Sequence, residues 1–388
     1  MTHSLCQRPT PVALPRPAGR VALPLLEPPR AHPLAALTGS RSPAAVRMLR
    51  IAVTDVCNLR CLYCMPREGV AWLPRSAVLT FEEITSVVRA AASVGITHFK
   101  LTGGEPTARR DLPVLVEMLR QIEGVEDLSM TSNGTLLGGQ AGGATLLRKL
   151  HAAGLKRITL SLDSLQPQRF ARITRGGDFT KAWSALHQAL DMGFEKVKLN
   201  VVAMKGLNED ELADFAALTL EWPITVRFIE FMPLGRSALT GDPAAATLTE
   251  ARIRAAIEAS HGTLVPIRRE SEAGAGPAKV WSLPGAAGRL GFISAMSHAF
   301  CDTCNRLRLT PDGMLRSCLF DGGEVDLKPI LRDPSMGLNR QDARTPGPGS
   351  GDLQGVEPRL LAAFSSCVTM KPETHSGHGN KAMNRIGG

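Results

Sequence analysis

Residues Leu49-Arg-Ile-Ala-Val-Thr54, followed closely by Cys57-Asn-Leu-Arg-Cys61-Leu-Tyr-Cys64, decide the fold predicted for this chain of 388 residues. The first six residues are rich in apolar and β-branched side chains, which is typical of a buried strand. Three cysteines follow soon after the strand. They therefore lie on a loop at its carboxyl end, which is where a sheet of parallel strands carries its binding residues.

The same alternation of strand and helix continues to about residue 235. We predict strands at residues 49–54, 97–102, 127–131, 157–161, 196–202 and 225–231. Apolar residues at helical spacing predict helices at residues 81–93, 112–121, 146–153, 179–192 and 209–221. Six such units are too few for a closed eight-unit barrel. The prediction is an α/β fold, a partial (β/α)6 TIM-like barrel with its active face at the carboxyl ends of the strands.

Composition divides the chain into three predicted regions. Residues 1–47 form a leader, residues 48–235 the partial barrel, and residues 236–388 a C-terminal subdomain that carries a second cysteine group. Residues 333–355, rich in Gly and Pro, are predicted to be a flexible insertion. Residues 138–143 are predicted to be a smaller insertion.

The net charge of +9 is concentrated in the leader, which holds nine Pro, six Arg, no Lys and the single acid Glu27. An Arg-rich, acid-poor leader resembles a transit peptide, so we predict import into the mitochondrial matrix. An extension with no targeting role and a cytoplasmic bacterial enzyme stay open as alternatives. The smaller surplus of positive charge in the rest of the chain fits a polyphosphate pocket better than a nucleic-acid surface. No apolar run is long enough for a membrane span, so we expect neither nucleic acid nor membrane as a partner.

Six of the eight cysteines form two close groups, which favours metal ligands over disulfides. Cys57, Cys61 and Cys64 supply three thiolates, whereas a closed zinc site or an ordinary four-thiolate cluster needs a fourth ligand. A cubane iron–sulfur cluster held by three cysteines leaves one iron open to a small molecule. The alternative is a zinc ion whose fourth ligand is a distant His or Cys367.

Cys301, Cys304 and Cys318 form the second group, and again no fourth cysteine follows at a useful spacing. A zinc ribbon is the alternative, although it would lack its last ligand. The sequence therefore predicts two 4Fe–4S clusters, each with one open iron.

The spacing of the first cysteine group, with Tyr63 before the last cysteine, resembles that of the radical S-adenosylmethionine superfamily. The resemblance implies that the open iron chelates the amino and carboxylate groups of S-adenosylmethionine. One electron then cleaves the sulfonium bond and releases a 5'-deoxyadenosyl radical. The segment Gly103-Gly104-Glu105-Pro106 matches the motif for the cofactor's amino group. The implied cofactor contacts are Tyr63, Gly104, Ser161 and Met232.

Further motifs resemble the GTP 3',8-cyclase family, which catalyses the first step of molybdenum-cofactor biosynthesis. They are the two cysteine groups together, Asn305-Arg-Leu-Arg-Leu309, Arg227-Phe-Ile-Glu-Phe-Met232 and the final Gly387-Gly388, and the resemblance covers residues 49–388. It implies that the second cluster binds the guanine of GTP and that basic residues bind the triphosphate by charge-assisted hydrogen bonds. The implied GTP contacts are Arg50, Lys100, Thr131, Lys198, Arg306, Leu307 and Arg308.

The resemblance also implies a mechanism. The adenosyl radical removes the hydrogen on C3' of the ribose, the carbon radical attacks C8 of guanine, and reduction gives 3',8-cyclo-7,8-dihydro-GTP. The implied partners are an unidentified reductant, a second copy of the chain in a homodimer, and a cyclic pyranopterin monophosphate synthase that acts next. The Gly387-Gly388 tail, with Arg385 near its tip, is expected to thread into the cavity.

Two other functions stay open at this point. Radical enzymes that oxidise peptides, or mature other proteins, also carry extra C-terminal clusters, usually with more cysteines than this chain has. A zinc-dependent module that binds RNA is the non-enzymatic alternative. Two features depart from the family pattern and can affect activity: the short loop after Met232 and the insertion at residues 333–355.

Overall fold

A twelve-stranded sheet is the central feature of the computed structural model, which describes residues 39–139, 142–235, 239, 246–268, 276–321, 323–336, 357–377, 379 and 383–386. The strands are β1 (Met48–Ala52), β2 (His98–Thr102), β3 (Asp127–Ser132), β4 (Arg157–Ser161), β5 (Lys196–Ala203), β6 (Thr225–Glu230), β7 (Val265–Pro266), β8 (Lys279–Ser282), β9 (Arg289–Ile293), β10 (Arg306–Leu309), β11 (Met314–Arg316) and β12 (Glu324–Asp326). Their order across the sheet is β12-β11-β10-β1-β2-β3-β4-β5-β6-β9-β8-β7.

The middle of the sheet is parallel. Strands β1 to β6 lie side by side in chain order, and β10 and β9 extend them in parallel beside β1 and β6. The outer strands, β11 and β12 on one side and β8 and β7 on the other, are antiparallel. Within the described residues β12 and β7 do not pair with each other, so the sheet is open. The predicted α/β fold with a partial barrel is confirmed, and β9 and β10 add two parallel strands that were not predicted.

Helices connect the parallel strands. Between β1 and β6 these are α1 (Phe81–Ser93), α2 (Leu112–Arg120), α3 (Gly143–Ala152), α4 (Pro167–Thr174), α5 (Phe179–Asp191) and α6 (Leu212–Glu221). The five predicted helices are all present, and α4 is an addition. Helix α1 begins where the sequence predicts, because Thr80 and Glu83 each accept a hydrogen bond from the other's backbone N–H in a capping box.

The C-terminal region contributes to the same sheet through β7 to β12. It also contains α7 (Glu250–His261), α8 (Lys328–Leu331), α9 (Pro358–Thr369) and α10 (Met383–Ile386). Short 3-10 helices lie at Gly39–Arg41, Pro43–Ala45, Arg75–Ala77, Pro106–Ala108, Glu209–Glu211 and Pro334–Met336. Most of the predicted insertion, residues 337–355, lies outside the described residues, as do residues 140 and 141 of the smaller one. In the described part of the chain no helix has both the length and the apolar content that crossing a membrane requires.

The strand register collects positive charge on one face of the sheet. Leu49 and Ile51 of β1 are fully buried in the core, and Arg50 between them faces the other way because side chains alternate along a strand. Arg50 aligns with Lys100 of β2 and with Arg308 of β10. The core face is therefore apolar, and the opposite face carries a row of cations across three neighbouring strands.

Candidate active site

All six cysteines of the two predicted groups line a single cavity on the polar face of the sheet. Each of these thiols is partly exposed, and none forms a disulfide. Cys367 is different: it is buried, and its sulfur lies 3.6 Å from the carbonyl oxygen of Leu315, outside the lining of the cavity. Cys367 is therefore not placed to complete either group as a fourth ligand.

Gly104 packs directly against the loop that carries the first cysteine group. Its N–H donates to the carbonyl oxygen of Thr54 at 2.8 Å, and a Cβ on Gly104 would lie 2.4 Å from the carbonyl oxygen of Val56. Only glycine fits at that separation. The contact explains the glycine by backbone packing, and the predicted contact of Gly104 with S-adenosylmethionine stays a prediction.

Glu105 holds the next loop to the same place. It is 1% exposed, and its carboxylate accepts hydrogen bonds from Thr107, from the hydroxyl of Ser132 and from the N–H of Asn133. Glu105 also lines the cavity. These hydrogen bonds fix the loops around the first cysteine group, and the predicted match of this segment to the cofactor's amino group stays a prediction.

Burial dominates the electrostatics of that first group. It raises the pKa of Cys57 to about 11, and it raises the pKa of Cys61 well above the usual value of a thiol. Burial also raises the pKa of Cys64 to about 12, against a hydrogen bond from the backbone N–H of Asn384. Without a cation these thiols keep their protons, so a cluster that binds them as thiolates must displace those protons.

In the second group, the pKa of one cysteine is lowered instead of raised. Burial alone would raise the pKa of Cys304, but the positive charges of Arg306 and Lys371 outweigh it and lower the pKa to about 7. Lys371 Nζ lies 3.6 Å from Cys304 Sγ, and Arg306 lies 3.9 Å from the same sulfur. Cys304 is therefore more readily deprotonated than an ordinary thiol before any metal binds.

Seven cations line the cavity beside the cysteines, and they are carried by six parallel strands, β1, β2, β4, β5, β6 and β10. They are Arg50, Lys100, Arg157, Lys198, Arg227, Arg306 and Arg308, of which Arg157 pairs with Asp127. Burial and mutual repulsion lower several of their pKa values, to about 7 for Lys198 and to about 9 for Arg308. A cluster of cations that depress one another's pKa values is suited to a highly charged anion, which relieves the repulsion.

Polar atoms in the same wall also lack partners. Thr131 Oγ1, Asn200 Oδ1 and Arg227 Nε are buried, and none has a hydrogen-bond partner among the described residues. All three residues line the cavity. Buried polar atoms are normally paired, so these three indicate that a polar ligand completes the site.

Each cysteine group suits a cluster held by three ligands. Thiolates are the ligands that iron–sulfur clusters prefer, and each group presents three cysteines to the cavity, the first from one loop and the second from the segments before β10 and after β11. Over the described residues, no three His, Cys, Asp or Glu side chains are arranged to hold one metal ion. The cysteines of a cubane bind three different irons, so they need not converge on one point as the ligands of a zinc ion do.

Comparisons with known proteins agree with this geometry. The family described as "Radical SAM superfamily" matches residues 51–219, and "Molybdenum Cofactor Synthesis C" matches residues 224–342. A GTP 3',8-cyclase of Pelotomaculum thermopropionicum is 44% identical over 347 residues, which are 88% of this chain and 98% of that protein. One from Syntrophomonas wolfei is 44% identical over 75% of this chain and 86% of that protein. The chain belongs to the GTP 3',8-cyclase family.

As a member of the GTP 3',8-cyclase family, the chain is a radical enzyme whose cofactors are S-adenosylmethionine and two 4Fe–4S clusters. These comparisons do not support either of the zinc alternatives. Among solved structures, Streptococcus suis SuiB bound to S-adenosylmethionine is similar over 77% of this chain and 67% of that chain, with a TM-score of 0.49 and 14% identity. The relatives are bacterial, so the predicted mitochondrial location is unsupported, and residues 1–38 lie outside the described part of the chain.

The structure places the other residues that the GTP 3',8-cyclase resemblance implied. Tyr63, Ser161 and Met232 line the cavity, and the hydroxyl of Tyr63 donates to Asp163 Oδ2 at 2.8 Å. Leu307 does not line it: its side chain is fully buried in the core, on the face opposite to Arg306 and Arg308. The predicted GTP contact of Leu307 stays a prediction, and it would have to be made by the backbone of that residue.

Three further residues of this GTP 3',8-cyclase family member belong to the site but were not among the predicted contacts. Arg227 was quoted only as part of a motif, although alternation along β6 puts it on the polar face. Lys371 and Asn384 could not be predicted from a sequence motif, because each contacts a cysteine loop from the distant C-terminal region. Asn384 Nδ2 donates to the carbonyl oxygen of Asp55 at 3.1 Å. Gly387, Gly388 and the side chain of Arg385 lie outside the described residues, so the threading of the tail stays a prediction.

Proposed function

We propose that this protein converts GTP to 3',8-cyclo-7,8-dihydro-GTP, the first step of molybdenum-cofactor biosynthesis. The observation that carries the proposal is the single cavity in which both cysteine triads meet seven cations, and in which buried polar atoms such as Thr131 Oγ1 and Asn200 Oδ1 have no hydrogen-bond partner among the described residues. A radical-forming site and a site for a polyanionic nucleotide are thereby open to each other. A relative of this family, named GTP 3',8-cyclase, is similar over nearly its whole length.

Cys57, Cys61 and Cys64 would hold the cluster that binds S-adenosylmethionine, and Cys301, Cys304 and Cys318 would hold the cluster nearer the nucleotide base. When bound, the first cluster and its cofactor supply a 5'-deoxyadenosyl radical that removes a hydrogen atom from the substrate. Tyr63 and Asp163 are positioned to orient the cofactor end of the cavity, because their mutual hydrogen bond fixes both side chains. Ser161 and Met232 lie on the same wall.

The cations bind and orient the triphosphate. Arg50, Lys100 and Arg308 occupy neighbouring strands in register, so a chain of phosphates can contact them in turn. Arg guanidinium groups form paired hydrogen bonds to phosphate oxygens, which fixes the direction of the nucleotide as well as its place. Accurate placement is the protein's main contribution when a bound cofactor supplies the reactive species.

Several finer predictions extend this proposal. We expect a homodimer, a low-potential reductant, and a cyclic pyranopterin monophosphate synthase that consumes the product. A bacterial cytoplasmic enzyme is the location that the bacterial relatives favour. The boundaries at residues 47 and 235, and the tail of Gly387-Gly388 inside the cavity, are part of the same proposal.

The decisive test uses anaerobically reconstituted protein with S-adenosylmethionine, dithionite and GTP. We expect 5'-deoxyadenosine to form at least tenfold faster with GTP than without it, together with a cyclised nucleotide found by mass spectrometry. Equal formation with and without GTP, and no cyclised product, would contradict the proposal. ATP in place of GTP tests whether the guanine base is required.

A pair of variants controls for loss of folding. Replacing Cys301, Cys304 and Cys318 by Ala should abolish the cyclised product and lower the iron content by about half, since one cubane is lost. Cys367→Ala should keep both the iron and the product, because Cys367 lies outside the cavity.

A further inference from the structure

A second groove lies on the outer side of the loop that carries the first cysteine group. It is lined by Arg60, Leu62, Arg67, Ala171, Arg172 and Arg175. The loop alternates between the two spaces: Cys57, Cys61 and Tyr63 line the inner cavity, whereas Arg60 and Leu62 line the groove. The cysteine loop is therefore the wall that separates the radical site from this surface.

Helix α4 forms the other side of the groove and holds the loop in place. The N–H groups of Arg60 and Leu62 donate to the carbonyl oxygens of Thr174 and Ile173, at 3.1 and 2.9 Å. The Arg175 guanidinium donates to the carbonyl oxygen of Met65 at 3.1 Å, next to the last cysteine of the group. These contacts hold the loop at residues 60, 62 and 65, so the groove is attached to the backbone around the second and third cysteines.

The charge of the groove is not neutralised. Within the described residues, none of its four arginines forms an ion pair with a carboxylate, and no acidic residue lines the groove. Arg169, one turn earlier on α4, differs from these arginines because it forms ion pairs with Asp210 and Glu211. Arg67 and Arg172 are the exposed members, and their guanidinium groups are available to a partner.

We propose that this groove, the Arg60–Arg175 groove, is the docking surface for the electron donor: a small acidic protein that carries a low-potential one-electron cofactor. The inference rests on the proposed function, because only a cluster that must be reduced in each turnover needs such a donor. In the docked complex the donor loses one electron and the first cluster gains one, with no bond broken and no proton moved. The groove and the first cysteine group share the same loop, and electron transfer falls steeply with distance.

Charge complementarity suits the kinetics that a donor requires. Opposite charges steer two proteins together and raise the association rate without a large, slow-dissociating interface. Electron-transfer complexes are accordingly small and weak. Four arginines without carboxylate partners around a rigid loop provide that kind of surface.

The test compares two reductants on the holoenzyme. A reduced flavodoxin, as an acidic one-electron protein, and dithionite, as a small reductant, each drive 5'-deoxyadenosine formation in wild type and in the double variant Arg67→Glu with Arg172→Glu. We expect the flavodoxin-driven rate to fall at least tenfold in the variant and the dithionite-driven rate to stay within twofold. The wild-type flavodoxin rate should also fall as salt rises, and more steeply than that of the variant.

The matched control reverses two exposed arginines on other helices, Arg148→Glu with Arg252→Glu, and should leave both rates unchanged. Equal flavodoxin-driven rates in wild type and the groove variant would overturn the proposal. Stopped-flow reduction of the clusters by flavodoxin without GTP gives a readout independent of product. If the wild type forms no cyclised nucleotide even with dithionite, the proposed function fails, while the stopped-flow comparison still decides whether the groove docks the donor.

Discussion

The ammonium group of Lys371 lies 3.6 Å from Cys304 Sγ and donates to the Cys304 carbonyl oxygen at 2.6 Å. Lys371 is only 4% exposed, so its charge acts in a poorly screened environment. A positive charge beside a cluster thiolate stabilises the reduced, more negative state. We therefore expect Lys371→Met to make the second cluster harder to reduce, which a redox titration followed by electron paramagnetic resonance measures directly. Lys149→Met, an exposed lysine on α3, should leave the potential unchanged.

Lys371→Arg distinguishes the effect of the side chain's charge on the potential from the effect of its shape. It keeps the positive charge and should retain most of the potential of the wild type, even where the longer group disturbs packing. If Lys371→Met and wild type have the same potential for the second cluster, Lys371 has no electrostatic role there. Loss of iron in the Met variant alone would then point to a structural contact.

Gly104 sets the position of the first cysteine loop. In Gly104→Ala the new Cβ would lie 2.4 Å from the carbonyl oxygen of Val56 and 2.5 Å from that of Asp55, so the loop must move. We expect the reconstituted variant to lose about half of its iron, because the displaced loop no longer presents its three thiols correctly. Gly142→Ala is the control, since nothing lies within 4 Å of a Cβ at that position. Full iron content in Gly104→Ala would show that the loop tolerates the shift.

The parts of the fold that the sequence predicted are those whose signals are local. The run of residues 49–54 and the capping box at Thr80 each specify an element within a few residues, and β1 and α1 lie where they were predicted. Strands β9 and β10 are short, and their place depends on pairing with distant strands. Leu307, for example, aligns with Leu49 in β1. No local pattern records such a pairing, so the sequence did not predict that the C-terminal region adds strands to the same sheet.

The candidate site divides in the same way. Cysteine spacing identified both triads, because the ligands of each cluster are mostly close in sequence. Leu307 was included because a motif was carried over whole, and alternation along β10 sends its side chain into the core, so only a backbone contact is compatible with its predicted role. Lys371 is 67 positions from Cys304, and a lone lysine at that separation carries no signal. Contacts made by tertiary packing alone were therefore the ones that sequence reasoning missed.

Arg227 tests whether the cations bind the triphosphate. Arg227 is 8% exposed, and burial lowers its pKa to about 10, so the cation is costly for the empty protein. A charge-assisted hydrogen bond contributes about 1.5–3 kcal/mol, which corresponds to a change in affinity of roughly ten- to a hundredfold. We expect Arg227→Met to weaken GTP binding by that factor in calorimetry, while the melting temperature without nucleotide stays equal or rises.

Arg332→Met is the matched control for Arg227→Met. Arg332 pairs with the buried Glu83 at 2.8 Å and lies outside the cavity lining. Its removal leaves a buried carboxylate without its partner, which costs about 1–3 kcal/mol of folding free energy. We expect this variant to melt at a lower temperature and to bind GTP normally. If the two variants show the reverse pattern, Arg227 is structural and the triphosphate lies elsewhere.

Lys198 should make nucleotide binding depend on pH. Burial, with the positive charges of Arg227, Lys196 and Arg157, lowers the pKa of Lys198 to about 7 in the empty protein. A bound triphosphate favours the charged amine, so binding above that pH must take up a proton. GTP affinity should therefore fall as pH rises from 7 to 9, by up to about tenfold per pH unit. Calorimetry in buffers of different ionisation enthalpy would detect the proton directly. Lys198→Met removes the titrating group, so its weaker affinity should be nearly flat over the same range. An equally steep pH dependence in that variant would assign the proton to another group.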